Sequence, residues 1–261
     1  MSETAVARFY DELADDYHLI YPDWDVSLRR QGAALDAVIG RDGAEVLDCS
    51  CGIGTQAIGL ALHGHRVTGT DLSPRATARA AREAASRGLP LRTATADMRQ
   101  LPFTDGRFDV VVCADNSLCH LLTAQDVRTA LTEMRRVLRP DGLLLVSTRP
   151  YEDLLRERPA SMPPQVHPAG DDAGRTVTFQ LWHWQDDGEH YDLEHFQLLP
   201  DDGRDDWRVR VRRASYWALG QERLAGLAAD AGFVDGEWRT PQQSGFFQPL
   251  FVARAGALLN W

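Results

Sequence analysis

The chain contains no lysine, because all 28 of its basic residues are arginine in a length of 261. A mechanism that needs a lysine nucleophile, such as Schiff-base formation, is therefore excluded. Cysteine is also scarce, and Cys49, Cys51, Cys113 and Cys119 lack the paired C-x-x-C spacing of a zinc site. We expect reduced cysteines and predict no metal centre.

Basic charge and long apolar runs are also in short supply. The formal net charge is -10 and the isoelectric point is near 5.2, whereas a nucleic acid or an anionic membrane is normally met by a basic patch. No apolar run reaches membrane-spanning length, and the first residues are acidic where a signal peptide would be basic and apolar. We expect a cytoplasmic protein with a small-molecule partner, no nucleic acid and no membrane. A homo-oligomer is compatible with these totals.

The stretch that organises the chain is EVLDCSCGIGTQ, residues 45–56. A short apolar run ends at Asp48 and passes into a turn that bears Gly52 and Gly54, and a helix-like segment follows. Glycines let the backbone approach a ligand closely, and a helix N-terminus presents free N–H groups. The pattern predicts a strand, a turn and a helix that hold a small polar ligand. Together with Ala57 it also fits a dinucleotide fingerprint, so a nicotinamide or flavin enzyme stays open here.

Strand-like and helix-like segments alternate from residue 44 onward, and an acid ends each of four predicted strands. The alternation implies right-handed βαβ units and a parallel sheet, whose ligand crevice lies beyond the carboxyl ends of the strands. The acids are Asp48, Asp71, Asp97 and Asp115. Turn propensity explains one such acid but not four in register. Asp71 also has the spacing of an acid that binds ribose hydroxyls.

Two helix-like segments, residues 5–20 and 26–39, precede the first strand. The turn between them, YPDWD, carries a proline and two aromatic side chains. One interpretation is a hydrophobic clasp between the helices, and the other is a flap over the ligand. The residues that such a flap would contribute are Tyr17, Tyr21, Trp24 and Arg30.

Beyond the alternating region, residues 150–174 contain five prolines and predict a short helix followed by an irregular crossing segment. Three strand-like runs then predict antiparallel hairpins, inserted before a last helix and two last strands. The aromatic side chains of the hairpins either stabilise strand faces or form the wall of a pocket for a flat ligand. They are Trp182, Trp184, Tyr191, Phe196, Trp207, Tyr216 and Trp217.

Together these motifs resemble a class I S-adenosylmethionine-dependent methyltransferase, closely over residues 46–148. The first family motif is present as DCSCGIG from Asp48 to Gly54, with Ser50 where the family usually has glycine, and RRVLRPDGLLLVS is typical of the helix, turn and fifth strand. The resemblance implies an α/β fold, a Rossmann-like doubly wound seven-stranded mostly parallel sheet, with an antiparallel β insertion covering the acceptor pocket. A dehydrogenase is disfavoured, since Asp48 would place a negative charge near the pyrophosphate, whereas a sulfonium profits from carboxylates.

The resemblance divides the chain into four regions. Residues 1–40 would form N-terminal helices that act as a cofactor flap, and residues 41–149 the cofactor-binding core. Residues 150–217 would form the insertion, and residues 218–261 the C-terminal helix and the last two core strands.

The implied cofactor is S-adenosyl-L-methionine, the product is S-adenosyl-L-homocysteine, and no metal is needed. By similarity, Asp48 and the backbone of residues 52–54 would hold the methionine portion. Asp71 would bind the ribose hydroxyls, and Asp97 with Met98 would bracket the adenine. The full predicted cofactor set is Tyr17, Tyr21, Arg30, Asp48, Ser50, Gly52, Gly54, Gln56, Asp71, Leu72, Asp97, Met98 and Asp115.

A narrower likeness is to the glycine N-methyltransferase and glycine/sarcosine N-methyltransferase group. GIGTQAIGLA, the Asn-Ser-x-x-His-Leu pattern from Asn116 and the Arg-x-Tyr pattern from Arg149 carry it. The matching arginine of that group binds the acceptor's carboxylate, so the resemblance implies methylation of an amine nitrogen in an amino-acid-like compound. The predicted substrate set is Trp24, Asn116, His120, Arg149, Tyr151, Trp182, Trp184 and Tyr216.

An acceptor amine must lose its proton before it can attack, and Asp115 and His120 are the predicted catalytic residues that would orient it or take that proton. The alternative function is C- or N-methylation of an indole or another aromatic natural product of secondary metabolism. That reaction would need a base near the ring N–H, for which His120, His183 or His195 could serve. An NAD-dependent oxidoreductase and a non-catalytic cofactor-binding protein are more remote alternatives.

Overall fold

The structure is a computed structural model that describes residues 3–169, 174–200 and 206–256. The α-helices are α1 (Glu3–Leu13), α2 (Trp24–Ile39), α3 (Thr55–Leu62), α4 (Pro74–Ser86), α5 (Ala124–Val137), α6 (Tyr151–Glu157), α7 (Gln221–Asp230) and α8 (Pro241–Ser244). The strands are β1 (Glu45–Asp48), β2 (Arg66–Asp71), β3 (Arg92–Thr95), β4 (Phe108–Cys113), β5 (Leu138–Ser147), β6 (Ser161–Ala169), β7 (Gly174–Trp184), β8 (His190–Pro200), β9 (Trp207–Trp217), β10 (Phe233–Arg239) and β11 (Leu250–Ala255).

The larger sheet has seven strands in the order β10-β11-β5-β4-β1-β2-β3. The strands β1 to β5 run parallel to their neighbours, and β11 pairs antiparallel with both β5 and β10. This confirms the predicted Rossmann-like, mostly parallel sheet. The order reverses between β1 and β4, where a crevice opens beyond the strand ends in such folds.

Two layers of helices bury the central strands of this sheet. All six residues of β4, FDVVVC, are buried, and five of them are apolar, as expected for a strand that is covered on both faces. Leu131 and Met134 of α5 pack in the core cluster that includes Val111, while Leu60 of α3 packs in the cluster that includes Val110. The site therefore rests on a rigid floor.

Helices α2 and α3 touch through their glycines. A Cβ on Gly59 would lie 2.6 Å from the Leu28 carbonyl oxygen and 2.9 Å from the Gly32 Cα, so the two backbones have no room for a side chain. We expect Gly59→Ala to lower the free energy of unfolding by about 2 kcal/mol, the usual cost of overpacking, in urea titrations. The matched control is Gly226→Ala in α7, where a Cβ meets nothing within 4 Å, and which should stabilise by up to about 1 kcal/mol. Equal effects of the two substitutions would contradict the close helix contact.

A second sheet has four antiparallel strands in the order β6-β7-β8-β9. The predicted irregular segment after α6 is therefore wrong over residues 161–169, because Ser161–Ala169 forms the edge strand β6. The register shifts between Met162 and Gln165, where Pro163 and Pro164 lie. Proline is tolerated there because an edge strand has unpaired N–H positions and a bulge interrupts the ladder.

The first N-terminal helix is shorter than predicted. Helix α1 ends at Leu13, and a 3-10 helix follows over Tyr17–Ile20. The carboxylate of Asp16 between them pairs with Arg210 and Arg212 of β9. This pairing fixes the segment across the inner face of the second sheet and above the parallel strand ends. Within the described ranges, no helix is long and apolar enough to cross a membrane.

Candidate active site

Two cavities meet above the carboxyl ends of the parallel strands. The turn cavity, about 300 Å³, lies over the glycine turn and the ends of β2 and β3. The sheet cavity, about 370 Å³, lies between α1 and the inner face of β7, β8 and β9. Tyr10, Tyr17 and Asp115 line both cavities, so the two spaces adjoin at these three side chains.

Asp71 organises the turn cavity. One carboxylate oxygen accepts the backbone N–H of Gly52 at 2.9 Å, and the other accepts the N–H of Ser73 at 2.9 Å. The residue thus ties the turn after β1 to the start of α4. Gly54 is the N-cap residue of α3 and has φ 99°, and a Cβ there would approach Ile58 to 2.9 Å, so the tight turn requires glycine.

The turn cavity is lined by carboxylates. Asp97 binds the Arg99 guanidinium at 2.6 Å, and Arg99 also binds Asp126 at 3.0 Å. Burial raises the pKa of both Asp71 and Asp115. Such a lining accepts hydrogen bonds from hydroxyls and stabilises a cation, and it repels a pyrophosphate. Among the described residues, no group of three histidine, cysteine or acidic side chains could hold a metal ion.

Asp115 is fixed at the junction of the cavities. Its carboxylate accepts hydrogen bonds from the Tyr17 hydroxyl at 3.0 Å, the Tyr21 hydroxyl at 3.4 Å and Gln248 Nε2 at 3.4 Å. Asp115 and Asn116 have φ of 55° and 67°, a left-handed backbone that is sparsely populated by residues other than glycine. Strain of this kind marks positions where the surrounding structure overdetermines the backbone.

Both nitrogens of His120 are engaged. The Nδ1 atom lies 3.3 Å from the Ser215 carbonyl oxygen, which can only accept, so Nδ1 carries the proton and Nε2 accepts the Tyr10 hydroxyl at 2.8 Å. Burial lowers the pKa of His120 to about 3, so the ring is neutral. His120 therefore orients Tyr10 and has no free lone pair for a substrate.

Arg149 enters the sheet cavity over two aromatic rings. Its guanidinium carbon lies 4.8 Å from the Trp182 ring centroid and 5.1 Å from that of Tyr216. It donates to the Tyr191 hydroxyl at 2.8 Å and to Gln180 Oε1 at 3.4 Å. Among the described residues, no carboxylate lies within ion-pair distance of Arg149.

The rest of the sheet cavity is mostly apolar. Its apolar lining comprises Phe9, Leu13, Ile20, Leu154, Met162, Leu193 and Phe247. Within the described part of the chain, two polar side chains of this lining have an atom without a hydrogen-bond partner, Asn116 Nδ2 and His195 Nε2. The Asn116 Oδ1 accepts the Arg149 backbone N–H at 3.1 Å, which leaves the amide hydrogens for a ligand.

The structure brings most of the predicted cofactor residues together. Those that line the turn cavity are Tyr17, Ser50, Gly52, Gln56, Asp71, Leu72, Asp97, Met98 and Asp115. Asp48 does not line it, because the side chain is fully buried beneath the turn. Gly54 faces Ile58 and Ala80, and Tyr21 touches Asp115 from outside the lining. Arg30 is exposed on α2, away from the cavity.

The predicted substrate residues divide in the same way. Asn116, Arg149, Trp182 and Tyr216 line the sheet cavity, and His120 lines the turn cavity. The remaining three line neither cavity. Trp24 donates to the Thr55 hydroxyl at 2.9 Å, and the Arg87 guanidinium lies over its ring. The Tyr151 hydroxyl is hydrogen-bonded to the Tyr191 hydroxyl, and Trp184 donates to the Pro159 carbonyl. Their packing roles agree with the hydrophobic clasp and strand-face interpretations.

Sequence reasoning missed Tyr10 and Gln248, and gave His195 only as one of three alternative bases. Tyr10 lies seven residues before Tyr17, a two-turn spacing that could have marked it as a second aromatic on the same side. His195 lies on the inner face of β8, whereas His183, the other candidate on the hairpins, is exposed. No sequence signal identifies Gln248.

The buried carboxyl of Asp48 should make stability depend on pH. Its Oδ1 accepts the Ser50 N–H, its Oδ2 has no partner among the described residues, and burial raises its pKa to about 7. Between about pH 4 and 7 the native state keeps a proton that the unfolded chain releases, so stability falls as pH rises, by up to about 1.4 kcal/mol per pH unit. We expect Asp48→Asn to flatten this slope in urea unfolding, and Asp42→Asn, at an exposed position, to keep it. Parallel slopes for Asp48→Asn and the unchanged protein would contradict a raised pKa.

Comparison with known proteins finds similarity over the glycine turn and the parallel strands. Residues 46–142 match the family described as methyltransferase domain. A glycine/sarcosine N-methyltransferase of Parasynechococcus marenigrum is 38% identical over 135 residues, 51% of this chain and 48% of that protein. The chain spans about half the length of the curated relatives it matches.

Solved structures extend the likeness to the second sheet. The CcbJ methyltransferase from Streptomyces caelestis has a TM-score of 0.75 at 20% identity, covering 98% of this chain and 100% of that one. SAM-bound CalS10, an amino pentose methyltransferase from Micromonospora echinaspora, has a TM-score of 0.70 at 22% identity, covering 88% and 92%. At such identities the likeness establishes a shared fold.

Proposed function

We propose that the chain is a class I S-adenosylmethionine-dependent methyltransferase and that it methylates an amine nitrogen of a small, amino-acid-like acceptor. The observation that supports this most directly is the junction of the two cavities. One cavity is lined by carboxylates, and the other contains the Arg149 guanidinium, which has no carboxylate partner among the described residues. Tyr10, Tyr17 and Asp115 lie between them.

The turn cavity fits S-adenosyl-L-methionine by the chemistry of its side chains. Asp71 and Asp97 would accept hydrogen bonds from ribose and adenine groups, and Met98 and Leu72 supply apolar walls. The carboxylates also favour the positive charge of a sulfonium. When bound, the cofactor supplies an electrophilic methyl group, and its sulfur keeps the electron pair of the broken bond as a neutral thioether.

Arg149 would bind the acceptor's carboxylate. A half-buried guanidinium that lacks an anionic partner is costly, and a planar fork matches a carboxylate through two parallel hydrogen bonds. Two of its N–H groups already bind Tyr191 and Gln180, and the remaining ones are available to the ligand. The neighbouring Asn116 Nδ2 has no hydrogen-bond partner among the described residues and would donate to the same ligand.

Asp115 would orient the acceptor amine and take its proton. The amine needs a free lone pair, and Asp115 is the carboxylate that borders both cavities. As the new N–C bond forms, the S–C bond breaks, and the proton that the amine gave up is held by Asp115 or passes to solvent. His120 would not act as the base, because its nitrogens already bind Tyr10 and Ser215.

Methyl transfer from labelled S-adenosyl-L-methionine to a panel of compounds tests the proposal. The panel should hold amino acids, the matching decarboxylated amines, and indoles that lack an amine. Product from the amino acids, with methylated nitrogen in mass spectra, is the expected result. Product from the bare indoles alone would favour the aromatic alternative, and tight cofactor binding without any product would favour a binding protein.

The Tyr17 hydroxyl should tune the pH profile. Its hydrogen bond lowers the pKa of Asp115 against the opposing effect of burial, so Tyr17→Phe should raise that pKa. The base is then ionised only at higher pH, and the acid limb of kcat/KM should move upward. Tyr21→Phe, which removes a longer bond of 3.4 Å, should shift it less. An acid limb that stays in place in Tyr17→Phe would argue against Asp115 as the proton acceptor.

A further inference from the structure

We propose that the acceptor is an amino acid whose aromatic side chain carries a hydrogen-bonding group on its ring, and that His195 binds that group. This inference rests on the proposed methyl transfer. It is based on the inner face of the second sheet. Along this face the polar region at Arg149 is followed by an apolar middle and then by a second polar position at His195.

The strand register sets these positions in rows across β7, β8 and β9. The first row is Trp184, Tyr191 and Tyr216, the second is Trp182, Leu193 and Ala214, and the third is Gln180, His195 and Arg212. Successive rows on one face of a strand lie about 7 Å apart. The second row is apolar and ends in the small Ala214, which leaves space above it.

The carboxylate would lie at the first two rows. Arg149 binds the Tyr191 hydroxyl and stacks over Trp182 and Tyr216, and these contacts hold its guanidinium beside the junction with the turn cavity. The acceptor's α-amino group, on the carbon next to the carboxylate, would then lie near Asp115. The acceptor's side chain would point along the sheet, away from the junction.

The middle of the sheet cavity fits a large apolar side chain of the acceptor. Trp182 lines the cavity, and its ring is held in place by stacking on Tyr191, with centroids 4.6 Å apart and planes 6° apart. Leu13, Leu154 and Phe247 complete the walls of a cavity of about 370 Å³. Glycine would leave most of that volume unfilled, whereas an aromatic ring would bury its faces there.

His195 supplies the second polar position. Its side chain points inward, the residue is 6% exposed, and its Nε2 atom has no hydrogen-bond partner within the described part of the chain. Burial and two nearby arginines lower its pKa to about 4, so at neutral pH the ring offers one donor and one acceptor. A buried polar atom without a partner costs free energy, and a ring hydroxyl or ring N–H of the acceptor would satisfy it.

Steady-state kinetics with glycine, phenylalanine, tyrosine and tryptophan test the inference. We expect kcat/KM for glycine at least 100-fold below that for tyrosine or tryptophan, since one methylene in an apolar pocket is worth about 10- to 200-fold. We expect tyrosine or tryptophan to exceed phenylalanine about tenfold. His195→Leu should abolish that preference while changing phenylalanine less than about threefold. His183→Leu, an exposed position on the other face of the sheet, is the matched control.

The outcomes separate this inference from the proposed function. Glycine methylated as well as tyrosine would overturn the aromatic acceptor and leave methyl transfer intact, and a preference for ring polar groups that survives in His195→Leu would overturn the role of His195. Calorimetry with S-adenosyl-L-homocysteine present covers the case of no turnover. Binding of tyrosine or tryptophan that is weaker in His195→Leu would support the acceptor class even if no methyl transfer is seen. If no aromatic amino acid binds, the proposed acceptor class is overturned.

Discussion

Replacing Arg149 with methionine is expected to raise KM for a carboxylate-bearing acceptor about 100- to 1000-fold, with kcat changed only a few-fold. Truncating one partner of a buried, hydrogen-bonded charge pair costs about 2–5 kcal/mol, and here the acceptor's carboxylate loses its only proposed cation. Methionine keeps most of the apolar stem over Trp182 and Tyr216, so the cavity wall should survive. Initial rates with varied acceptor and saturating cofactor measure the effect.

Two controls isolate the carboxylate contact. The decarboxylated amine of the same acceptor should lose little in Arg149→Met, because it has no anion to place there. Arg156→Met removes an exposed guanidinium from α6 and should leave both acceptors unchanged. An equal loss for the acid and for its decarboxylated amine would mean that Arg149 maintains the shape of the cavity and binds no carboxylate.

Asp71→Ala is expected to weaken the binding of S-adenosyl-L-methionine and of its demethylated product by about 100-fold or more. The substitution removes the carboxylate that would bind ribose hydroxyls, and hydrogen bonds to a charged group are worth about 1.5–3 kcal/mol. It also leaves the N–H groups of Gly52 and Ser73 without their acceptor, so the turn that lines the cavity is held less firmly. Isothermal titration calorimetry with both nucleosides measures the loss.

The side-chain series at Asp71 distinguishes charge from hydrogen bonding. Asp71→Asn keeps one acceptor oxygen and should lie between the alanine variant and the unchanged protein. Asp42→Ala, at an exposed turn, is the control for loss of an acid elsewhere, and urea unfolding checks that each variant folds. Unaltered affinity in Asp71→Ala would place the cofactor outside the turn cavity.

The larger sheet could be predicted from the sequence because its signals depend on residues that are close together in the chain. Apolar runs closed by an acid, the glycines of one turn, and Ser73 followed by Pro74 at a helix start each report the conformation of a few neighbouring residues. The same locality explains the errors. The prolines near Pro163 argued for an irregular segment, since the pairing of β6 with β7 that accommodates them is not encoded nearby.

Site residues were harder to assign, because lining a cavity depends on several elements at once. Asp48 and Asp71 both end parallel strands, yet Asp48 is buried beneath the turn and Asp71 faces the cavity. Trp182 and Trp184 share one face of β7, yet only Trp182 lines the sheet cavity. Tyr10 belongs to the site because the pairing of Asp16 with β9 brings α1 across it.

By itself, the sequence determined the alternation of strands and helices in the larger sheet, the acids at the strand ends, and the absence of lysine chemistry. Those properties follow from residue type and from spacing over a few positions. Only the tertiary structure decided that Arg149 has no carboxylate within ion-pair distance among the residues it describes, that His120 is already engaged by Tyr10 and Ser215, and that His195 faces the cavity. Each of these depends on which side chains distant segments bring into contact, and such contacts are fixed by long-range packing and strand register.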